Sequence, residues 1–483
     1  MKRKNIIWVV IAFIFCMFFD VRAIDITVDT NTKGTVDPNS YLITTLGTVE
    51  MNVDAVDLDT FYAYKLLDSF YNSTSNVITY EFTSTFKTFL ASNTTYKNLT
   101  VAEYYNLTSN NLDKLASTYA TYLRKNSITT DLQGDFLLSL PAGAYLLLPI
   151  TTTKIYSVMV VNPVIYSDSK GNWAKTDMYF EPKVSAPSVT KSVGAVGTVT
   201  KSYGLSDTIP YYLTATFPTY PTNATNRVYI INDTLGAGLT FTSLSDITIT
   251  DGDTLNNSNG TFKDSSGNTV ATASISGQKL TITFNPNYVN STAVSISYKA
   301  KLNTSAVLGT VGNLNSAVLT YSNDPYGTGT TTTSAFTTTV YTYGIELLAY
   351  DKSNTSTKLP GAYYDVYSDS GLTKKVGTIT TGSDGIGTLR GVAEGTYYIK
   401  NTKASTGYEL ATTTSMKVKI TGSVAGTTEG YYKVEMPVTK SPSLPYTGGV
   451  GTIIYTIIGM IVIVSAVVGF TLYKNRDKGR GLS

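Results

Sequence analysis

The chain has 483 residues, and at about 100–200 residues per domain this length predicts two to four domains. Only 15% of the residues are charged and the formal net charge is +3, whereas 37 residues are tyrosines. The sequence contains no histidine and a single cysteine, Cys16. This composition excludes Ser-His-Asp triads, Cys-His dyads, His-ligated metal sites and internal disulfide bonds.

The start of the chain predicts a secretion signal. Basic residues at 2–4 precede an apolar run at 6–19, and Val-Arg-Ala at 21–23 is a small-x-small pattern typical of a cleavage site. The alternative is an uncleaved membrane anchor. The run is short for a membrane span, which needs about 20 apolar residues. We therefore expect residues 1–23 to be a signal peptide and the protein to be exported.

The other end of the chain, residues 441–483, has three parts in a fixed order. A pentapeptide comes first: Leu444, Pro445, Tyr446, Thr447 and Gly448. An apolar run at 450–473 follows and is long enough to span a bilayer. The tail at 474–480 is basic, which favours its cytoplasmic location. Without the pentapeptide, this order would predict only a tail-anchored protein.

With the pentapeptide, the C-terminus resembles the cell-wall sorting signal of Gram-positive surface proteins. In that family a sortase cleaves between Thr and Gly, which are Thr447 and Gly448 here, and joins the Thr carbonyl to an amine. The resemblance implies a protein of the cell wall or surface pilus that is held in the cytoplasmic membrane only as a precursor.

The charge pattern argues against several other partners. Both ends are basic and the chain between them is slightly acidic, so no basic face for nucleic acid is expected. The turn at 251–256 contains Asp251 and Asp253 but lacks the spacing of an EF-hand loop. We interpret it as a polar turn and expect neither a metal nor a cofactor.

Three blocks separate along the rest of the chain, and the pattern predicts an all-β fold of tandem Ig-like sandwiches. Residues 24–186 mix strands at 145–148 and 158–161 with a helix in which Leu112, Leu115 and Tyr119 recur. Residues 187–343 predict short strands without a convincing helix, and the Thr-rich stretch at 328–339 is either a linker or an edge strand. Residues 344–440 predict strands at 345–350, 363–367, 396–400 and 416–420.

Strand alternation places Lys191, Asp233 and Asn315 on buried faces of the central block. Burial lowers the pKa of a lysine and raises that of an aspartic acid. A protonated Asp233 could polarise the Asn315 carbonyl for attack by Lys191 and carry protons as ammonia leaves. The product would be an intramolecular isopeptide bond. The alternative interpretation is a buried salt bridge beside a hydrogen-bonded asparagine.

The segments INDTLGAGL at 231–239 and NSAVLTYSN at 315–323 resemble the isopeptide-forming central domain of Gram-positive backbone pilins. In that family the matching Lys, Asp and Asn have the roles just given, which favours the bond over the salt bridge. The bond would close a loop of roughly 120 residues, and by analogy with a disulfide it would add about 5 kcal/mol of stability.

A further motif precedes the central block: Trp173 and then Tyr-Phe-Glu-Pro-Lys at 179–183. It resembles the pilin motif, whose lysine amine receives the Thr of the next subunit from a pilin-class sortase. Glu181 stands where the family has Tyr. The resemblance implies that Lys183 is the acceptor, exposed at a strand end where Pro182 needs no N–H partner. Lys183 as an ordinary surface lysine, and Lys170 or Lys175 as the acceptor, are the alternatives.

The C-terminal block resembles a CnaB-type pilin domain through LPGAYYDVY at 359–367 and AEGTYY at 393–398. Its reactive positions depart from the family: Ala349 stands in place of Lys and Asn401 in place of Glu, and the final strand at 432–436 has no Asn. Lys352 is the nearest lysine, but its strand parity is opposite to that of position 349. We therefore expect a CnaB-like fold without an isopeptide bond.

The resemblance implies a structural backbone pilin subunit that is polymerised head to tail and supports adhesion. The implied partners are a class C-type pilin sortase, identical subunits, and a housekeeping sortase with peptidoglycan. The resemblance also implies minor pilins and a host surface ligand as further partners. The chain would be a sortase substrate and not an enzyme, with one single-turnover autocatalytic closure. The alternatives are a monomeric wall-anchored adhesin or ancillary pilin, and a wall-anchored hydrolase, for which no carboxylate pair is recognisable.

Overall fold

A computed structural model describes residues 40–42, 46–51, 59–72, 77–134, 137–150, 152–163, 165–167, 173–175, 178–180, 182–205, 207–290, 293–411, 415–422, 430–442 and 451–478. The expected signal peptide and the sorting pentapeptide at 444–448 lie outside the described residues.

The described part of the first region combines strands with three helices, packed in two adjoining cores. Its elements are β1 (Ser40–Leu42), β2 (Leu46–Met51), β3 (Phe61–Asn72), β4 (Val77–Phe82), α1 (Ser84–Ser92), α2 (Val101–Tyr105), α3 (Ser109–Lys125), β5 (Gln133–Gly134), β6 (Leu137–Pro141), β7 (Gly143–Pro149), β8 (Ile155–Tyr156), β9 (Met159–Val161), β10 (Ile165–Ser167), β11 (Trp173–Lys175), β12 (Met178–Phe180) and β13 (Val184–Ser185).

The predicted helix is α3, and its boundaries follow from local chemistry. The side chain of Thr108 caps its first turn by accepting a hydrogen bond from the Asn111 backbone N–H. Leu115, Tyr119 and Leu123 recur every four residues and are buried on one face. That face packs in a core shared with β3 and β7. The predicted strands at 145–148 and 158–161 are confirmed as β7 and β9, with β9 beginning one residue later.

The central region is a sandwich of two sheets around one large core. Its strands are β14 (Ser188–Val193), β15 (Thr200–Ser202), β16 (Ile209–Thr216), β17 (Tyr229–Leu235), β18 (Leu239–Phe241), β19 (Thr248–Asp251), β20 (Asp253–Thr254), β21 (Asn256–Ser258), β22 (Thr261–Lys263), β23 (Thr269–Ser276), β24 (Lys279–Phe284), β25 (Ala293–Leu302), β26 (Asn313–Tyr321), β27 (Thr331–Thr332) and β28 (Phe336–Tyr341).

One sheet has the order β14-β16-β25-β19-β20, with β18 paired to β25. The other has the order β15-β28-β26-β17-β24-β23-β22-β21, with β27 paired to β26. Within the described part of this region the only helical turns are of the 3₁₀ type, at Leu244–Asp246 and Gly309–Val311. The Thr-rich stretch forms β27 and β28, so the linker interpretation is wrong. In the described part of the chain β27 and the first half of β28 pair only with β26, as the edge-strand interpretation expected, and β15 covers β28 only from Thr339 to Tyr341.

The C-terminal region packs two four-stranded sheets around a third core. Its strands are β29 (Tyr343–Asp351), β30 (Asn354–Lys358), β31 (Tyr363–Tyr367), β32 (Lys375–Thr380), β33 (Ile386–Val392), β34 (Gly395–Lys403), β35 (Met416–Ile420) and β36 (Tyr431–Val438). The four predicted strands correspond to β29, β31, β34 and β35. All-β architecture with helix confined to the first region and the C-terminal segment is therefore confirmed for the described residues.

Short connections join the three regions. A single buried residue, Thr342, separates β28 from β29. At the junction between the first and central regions, Arg124 Nε of α3 lies 2.8 Å from Asp324 Oδ2, which belongs to the loop after β26. The Tyr326 side chain, from the same loop as Asp324, is buried in the core of the first region, and Val158 N–H donates to its hydroxyl at 3.3 Å. Polar and apolar contacts therefore reinforce this junction.

The last element is α4 (Gly451–Lys478), whose described side chains are exposed to solvent. Residues Thr452–Asn475 have a mean hydropathy of 2.6 and are long and apolar enough to cross a membrane. This segment coincides with the apolar run of the predicted sorting signal.

Replacement of Phe86 tests the aromatic core of the first region. Its ring is fully buried, with its centroid 4.9 Å from that of Tyr119 and 5.2 Å from that of Phe82. We expect Phe86→Ala to lower the free energy of opening of α3 by about 3–5 kcal/mol because it leaves a cavity. Hydrogen exchange of the α3 amides measures this. Lys87→Ala, at an exposed neighbouring position, should leave the exchange rates unchanged; equal effects would contradict the packing described.

Candidate isopeptide site and acceptor lysine

The three polar residues singled out in the central block meet between its two sheets. Lys191 is on β14 in one sheet, whereas Asp233 on β17 and Asn315 on β26 belong to the other. β17 and β26 are antiparallel neighbours in which Leu235 pairs with Asn315, so Asp233 and Asn315 are diagonal neighbours on one face. All three side chains are at most 1% exposed. Alternation along each strand therefore predicted their burial correctly.

A tyrosine hydroxyl connects the three groups. Lys191 Nζ contacts Asp233 Oδ2 and also donates to Tyr298 Oη at 2.6 Å. Tyr298 Oη donates to Asp233 Oδ2 at 2.9 Å. Asn315 Nδ2 donates to Tyr298 Oη at 2.7 Å. The amine and the amide nitrogen of the expected reaction are thus held by one oxygen atom.

Aromatic rings complete the walls around the amine. The rings of Tyr211 and Tyr298 are stacked with centroids 5.3 Å apart, and Lys191 Nζ lies 5.1 and 5.0 Å from those centroids. Tyr211 and Tyr298 are paired across β16 and β25 in the same sheet as β14. Apart from Asp233 and the Tyr298 hydroxyl, the amine therefore faces aromatic rings in place of water, and its loss of hydration is only partly compensated.

This environment shifts the acid–base equilibria of the pair. Burial lowers the pKa of Lys191 and raises the pKa of Asp233, although the attraction between the two opposes each shift. Two charges removed from water lose more solvation than their mutual attraction restores, so burial determines both directions. Both directions favour the neutral amine and the protonated carboxyl more than water does. Burial also raises the pKa of Tyr298 well above its ordinary value, which keeps its hydroxyl protonated.

Two buried oxygens of this cluster lack a hydrogen-bond partner. Asp233 Oδ1 and Asn315 Oδ1 have no hydrogen-bond partner among the described residues, whereas Asp233 Oδ2 accepts from both Lys191 and Tyr298. A proton on Asp233 Oδ1 would convert one unpaired acceptor into a donor, and Asn315 Oδ1 is an acceptor that needs one. The neutral amine uses its two N–H groups on Asp233 and Tyr298, which leaves its lone pair for attack.

Tyr298 is the site residue that the sequence did not reveal. It alternates with the buried residues Ile296 and Ala300 along β25, as an ordinary core tyrosine would. The only signal in the sequence is general: a buried tyrosine hydroxyl needs a polar partner. Sequence alone does not identify that partner, because Tyr298 and its three partners lie on four different strands.

Lys183 lies apart from this cluster, exposed between β12 and β13. Its backbone carbonyl accepts a hydrogen bond from Ser157 N–H at 3.1 Å, which fixes the chain at this point. Lys183 also lines an open cleft of about 360 Å³ together with Asp113 of α3 and the segment 220–223. Of the two alternative acceptors, Lys170 lies outside the described residues, and for Lys175 only the backbone is described. Glu181, the residue that departs from the family motif, also lies outside them.

The C-terminal region holds no comparable cluster among its described residues. Ala349 on β29 is fully buried, and Asn401 on β34 uses its amide to donate to the backbone oxygens of Tyr363 and Lys403. Asn401 Oδ1 accepts from Ala411 N–H at 3.0 Å, so the side chain is fully hydrogen-bonded in place. Lys352 is exposed, as its parity predicted. No lysine in the described residues of 343–442 is buried.

The chain is similar to known proteins in its C-terminal part and in its fold. Residues 345–432 match the family model of the SpaA prealbumin-like fold domain, and residues 437–478 match the LPXTG cell wall anchor motif. The Trypsin-resistant surface T6 protein of Streptococcus pyogenes serotype M6 is 31% identical over 265 residues, which are 51% of this chain and 48% of that protein. The match thus spans about half the length of this curated relative.

Two solved structures share the fold over most of the chain. The T6 backbone pilin of Streptococcus pyogenes serotype M6 superposes with a TM-score of 0.63 at 22% identity, covering 80% of this chain and 81% of that one. The full-length major pilin SpaD of Corynebacterium diphtheriae gives a TM-score of 0.55 at 17% identity, covering 85% and 100%. The resemblance to Gram-positive backbone pilins is confirmed at the level of fold, and the anchor is that of a cell-wall protein on the Gram-positive surface.

The mass of the purified chain tests the internal bond. We expect wild-type protein to be one ammonia lighter than its sequence requires, because closure releases the Asn315 nitrogen as ammonia. Asn315→Ala should restore the full mass, and so should Asp233→Ala. Asn313→Ala is the matched control, since Asn313 is also buried on β26 but bonds to the backbone of Val307 and Val340. A wild type of full mass would exclude the Lys191–Asn315 bond.

Peptide mapping of the same protein tests the C-terminal region. We expect the ammonia deficit to lie in a branched peptide that contains Lys191 and Asn315. Peptides from 343–442 should have their full sequence masses, because the described residues there offer no buried lysine. A second deficit located in these peptides, for example one joining Lys352, would contradict the assignment. Asn315→Ala should remove the branched peptide and leave every C-terminal peptide unchanged.

Proposed function

We propose that this chain is a backbone pilin subunit that a sortase polymerises head to tail and that is finally attached to the cell wall. The observation that carries the proposal is a backbone-pilin fold over most of the chain that ends in an LPXTG anchor. In this proposal residues 24–186 form the domain that bears the acceptor and residues 187–343 form the domain that bears the internal bond. Residues 344–440 are a CnaB-like domain before the sorting segment at 441–483.

The linkage between subunits is an amide bond. The sortase breaks the peptide bond after Thr447 and holds the Thr carbonyl as an acyl group. The Lys183 amine of the neighbouring subunit then attacks that carbonyl, which forms the amide and frees the enzyme. Exposure of Lys183 beside an open cleft supports this role, because the amine must reach an acyl group on a separate protein.

The segment after Thr447 is discarded by the same step. It contains α4, whose apolar side chains suit a lipid environment. Before cleavage α4 would hold the precursor at the membrane, and cleavage would transfer the remaining chain to its covalent partner. The membrane is thus a partner of the precursor only.

The internal bond would stabilise each subunit independently of its neighbours. It would join Lys191 on the first strand of the sandwich to Asn315 on β26, across the two sheets. The large loop that it closes restricts the unfolded chain, which raises the free energy of unfolding. The closure happens once per molecule, so the chain is a reactant and not an enzyme.

Further partners follow from the same proposal. A class C-type pilin sortase would make the Thr447–Lys183 linkage, and a housekeeping sortase would attach the last subunit to peptidoglycan. Minor pilins would assemble with the backbone subunits, and a host surface ligand would bind the assembled pilus. A monomeric wall-anchored adhesin or an ancillary pilin is the competing function; it requires the sorting signal but no acceptor lysine.

Wall-linked material from the native host tests the linkage. We expect a ladder of high-mass species and, after digestion, a branched peptide that joins Thr447 to Lys183. Mass spectrometry of the digest identifies both partners of the branch. Thr447 joined only to the peptidoglycan cross-bridge, with no ladder, would establish the monomeric alternative.

Three conservative variants identify the acceptor. Lys183→Arg keeps the positive charge but cannot form the amide under these conditions, so the ladder should disappear while single subunits remain attached to the wall. Lys170→Arg and Lys175→Arg are the matched controls and should leave the ladder intact. Loss of the ladder in one of these two, but not in Lys183→Arg, would transfer the acceptor role to that lysine.

A further inference from the structure

We propose that Tyr298 is a catalytic residue of the internal closure: its hydroxyl relays a proton from Asp233 to the nitrogen that leaves Asn315. The inference rests on the proposed Lys191–Asn315 bond and adds a residue that neither the sequence motifs nor the comparisons assign. It is carried by the position of the Tyr298 oxygen, which contacts both nitrogens of the reaction and the carboxyl that exchanges protons with them.

The leaving nitrogen needs a proton donor, and its described hydrogen bond is to Tyr298, although the side chain of Tyr211 also interacts with Asn315. Asn315 Nδ2 donates to Tyr298 Oη at 2.7 Å, and no hydrogen bond joins it to Asp233 among the described residues. Asp233 meets the amine and the tyrosine through Oδ2, while its Oδ1 is the atom without a partner. A proton held by Asp233 therefore reaches the leaving nitrogen by way of the hydroxyl.

The hydrogen bond between Asn315 and Tyr298 must reverse during the reaction. An amide nitrogen donates hydrogen bonds but does not accept them, because its lone pair is delocalised into the carbonyl. Attack by Lys191 makes the carbon tetrahedral, which ends that delocalisation and leaves a basic nitrogen. Tyr298 can then donate to Nδ2 while it accepts from Asp233 Oδ2, the two atoms with which it already forms hydrogen bonds.

The proton balance closes. Lys191 Nζ bonds to the Asn315 side-chain carbon, one Nζ proton passes to Asp233 Oδ2, and the proton on Asp233 Oδ1 passes to the Asn315 oxygen. The tetrahedral intermediate then returns its hydroxyl proton to Asp233 Oδ1 as the following transfer empties Oδ2, so the carboxyl never holds two protons. The Oδ2 proton passes to Tyr298, and the Tyr298 proton passes to Nδ2. The carbon–nitrogen bond breaks, ammonia leaves, and Asp233 and Tyr298 end in their starting protonation states.

The buried surroundings make such a relay necessary. Tyr298 is 2% exposed and the Asp233 and Lys191 side chains are fully buried, so bulk water does not supply the proton. Loss of solvation also raises the pKa of Tyr298, so the hydroxyl carries a proton at the moment of transfer. General acid–base groups placed in this way contribute roughly 100- to 10,000-fold to a rate.

The test follows closure in newly made protein. The full-length chain is synthesised in a cell-free system with detergent micelles, samples are stopped in acid at intervals, and the ammonia deficit is measured by intact mass. We expect Tyr298→Phe to close on the order of a hundredfold more slowly than wild type. Tyr229→Phe is the matched control: it loses one buried hydroxyl bonded to the Pro218 backbone in the same core and should close at the wild-type rate.

A second variant separates proton relay from positioning. A fluorinated tyrosine placed at position 298 by codon suppression keeps the shape and the hydroxyl but is a stronger acid. We expect its closure rate to differ several-fold from wild type, because proton transfer depends on the acidity of the group. An unchanged rate would overturn the relay and leave Tyr298 as a positioning residue.

The outcomes distinguish this inference from the proposal beneath it. A wild-type chain that never loses ammonia would exclude the internal bond and the relay together. A wild type that closes normally, with Tyr298→Phe as fast as Tyr229→Phe, would exclude the relay alone. Slow closure of Tyr298→Phe, normal closure of Tyr229→Phe and an altered rate with the fluorinated residue would establish the relay.

Discussion

The central sandwich depends on one physical constraint, the burial of a lysine amine opposite a carboxyl between two sheets. Lys191 and Asp233 have no exposed side-chain surface, so water does not stabilise either charge. Burial of a charged pair in such a place costs desolvation free energy, and burial of an unpaired charge costs more. The structure meets this constraint by surrounding the pair with one hydroxyl, one amide and two aromatic rings. The same constraint lowers the pKa of Lys191 and raises that of Asp233, the directions that the proposed reaction requires.

The site exists only when the sandwich is complete. Lys191 comes from the first strand of the sandwich, whereas Asn315 comes from β26, near the end of the region. Tyr298 and Asp233 come from strands on opposite sheets between these two. No shorter piece of this region brings all four groups together, so the proposed reaction would be delayed until the long-range strand pairs have formed. A covalent bond formed at that stage would join strands that already pair in the native register, so it would not trap a non-native pairing.

Sequence predicted most of the fold because the spacing of apolar residues along each strand and helix matches the residues that are buried in the structure. Lys191, Asp233 and Asn315 were correctly placed on buried faces because strand alternation is a local property, and α3 followed from its helical spacing. Tyr298 was missed because its role depends on three partners distant in sequence. The pairing of β15 with the end of β28 was missed for the same reason: a strand's neighbours are not encoded in its own residues, and β15 comes from a distant segment.

The single residue between β28 and β29 has a mechanical consequence. Tension carried along a fibre would enter a subunit at Lys183 and leave toward Thr447, through Thr342. With Lys191 joined to Asn315, the loaded path would run from β14 directly to β26 and on to the C-terminal region. The strands in between would bear none of the load, and neither would the helices of the first region, which precede the point of entry. Such a subunit would not lengthen under force by unfolding its largest core.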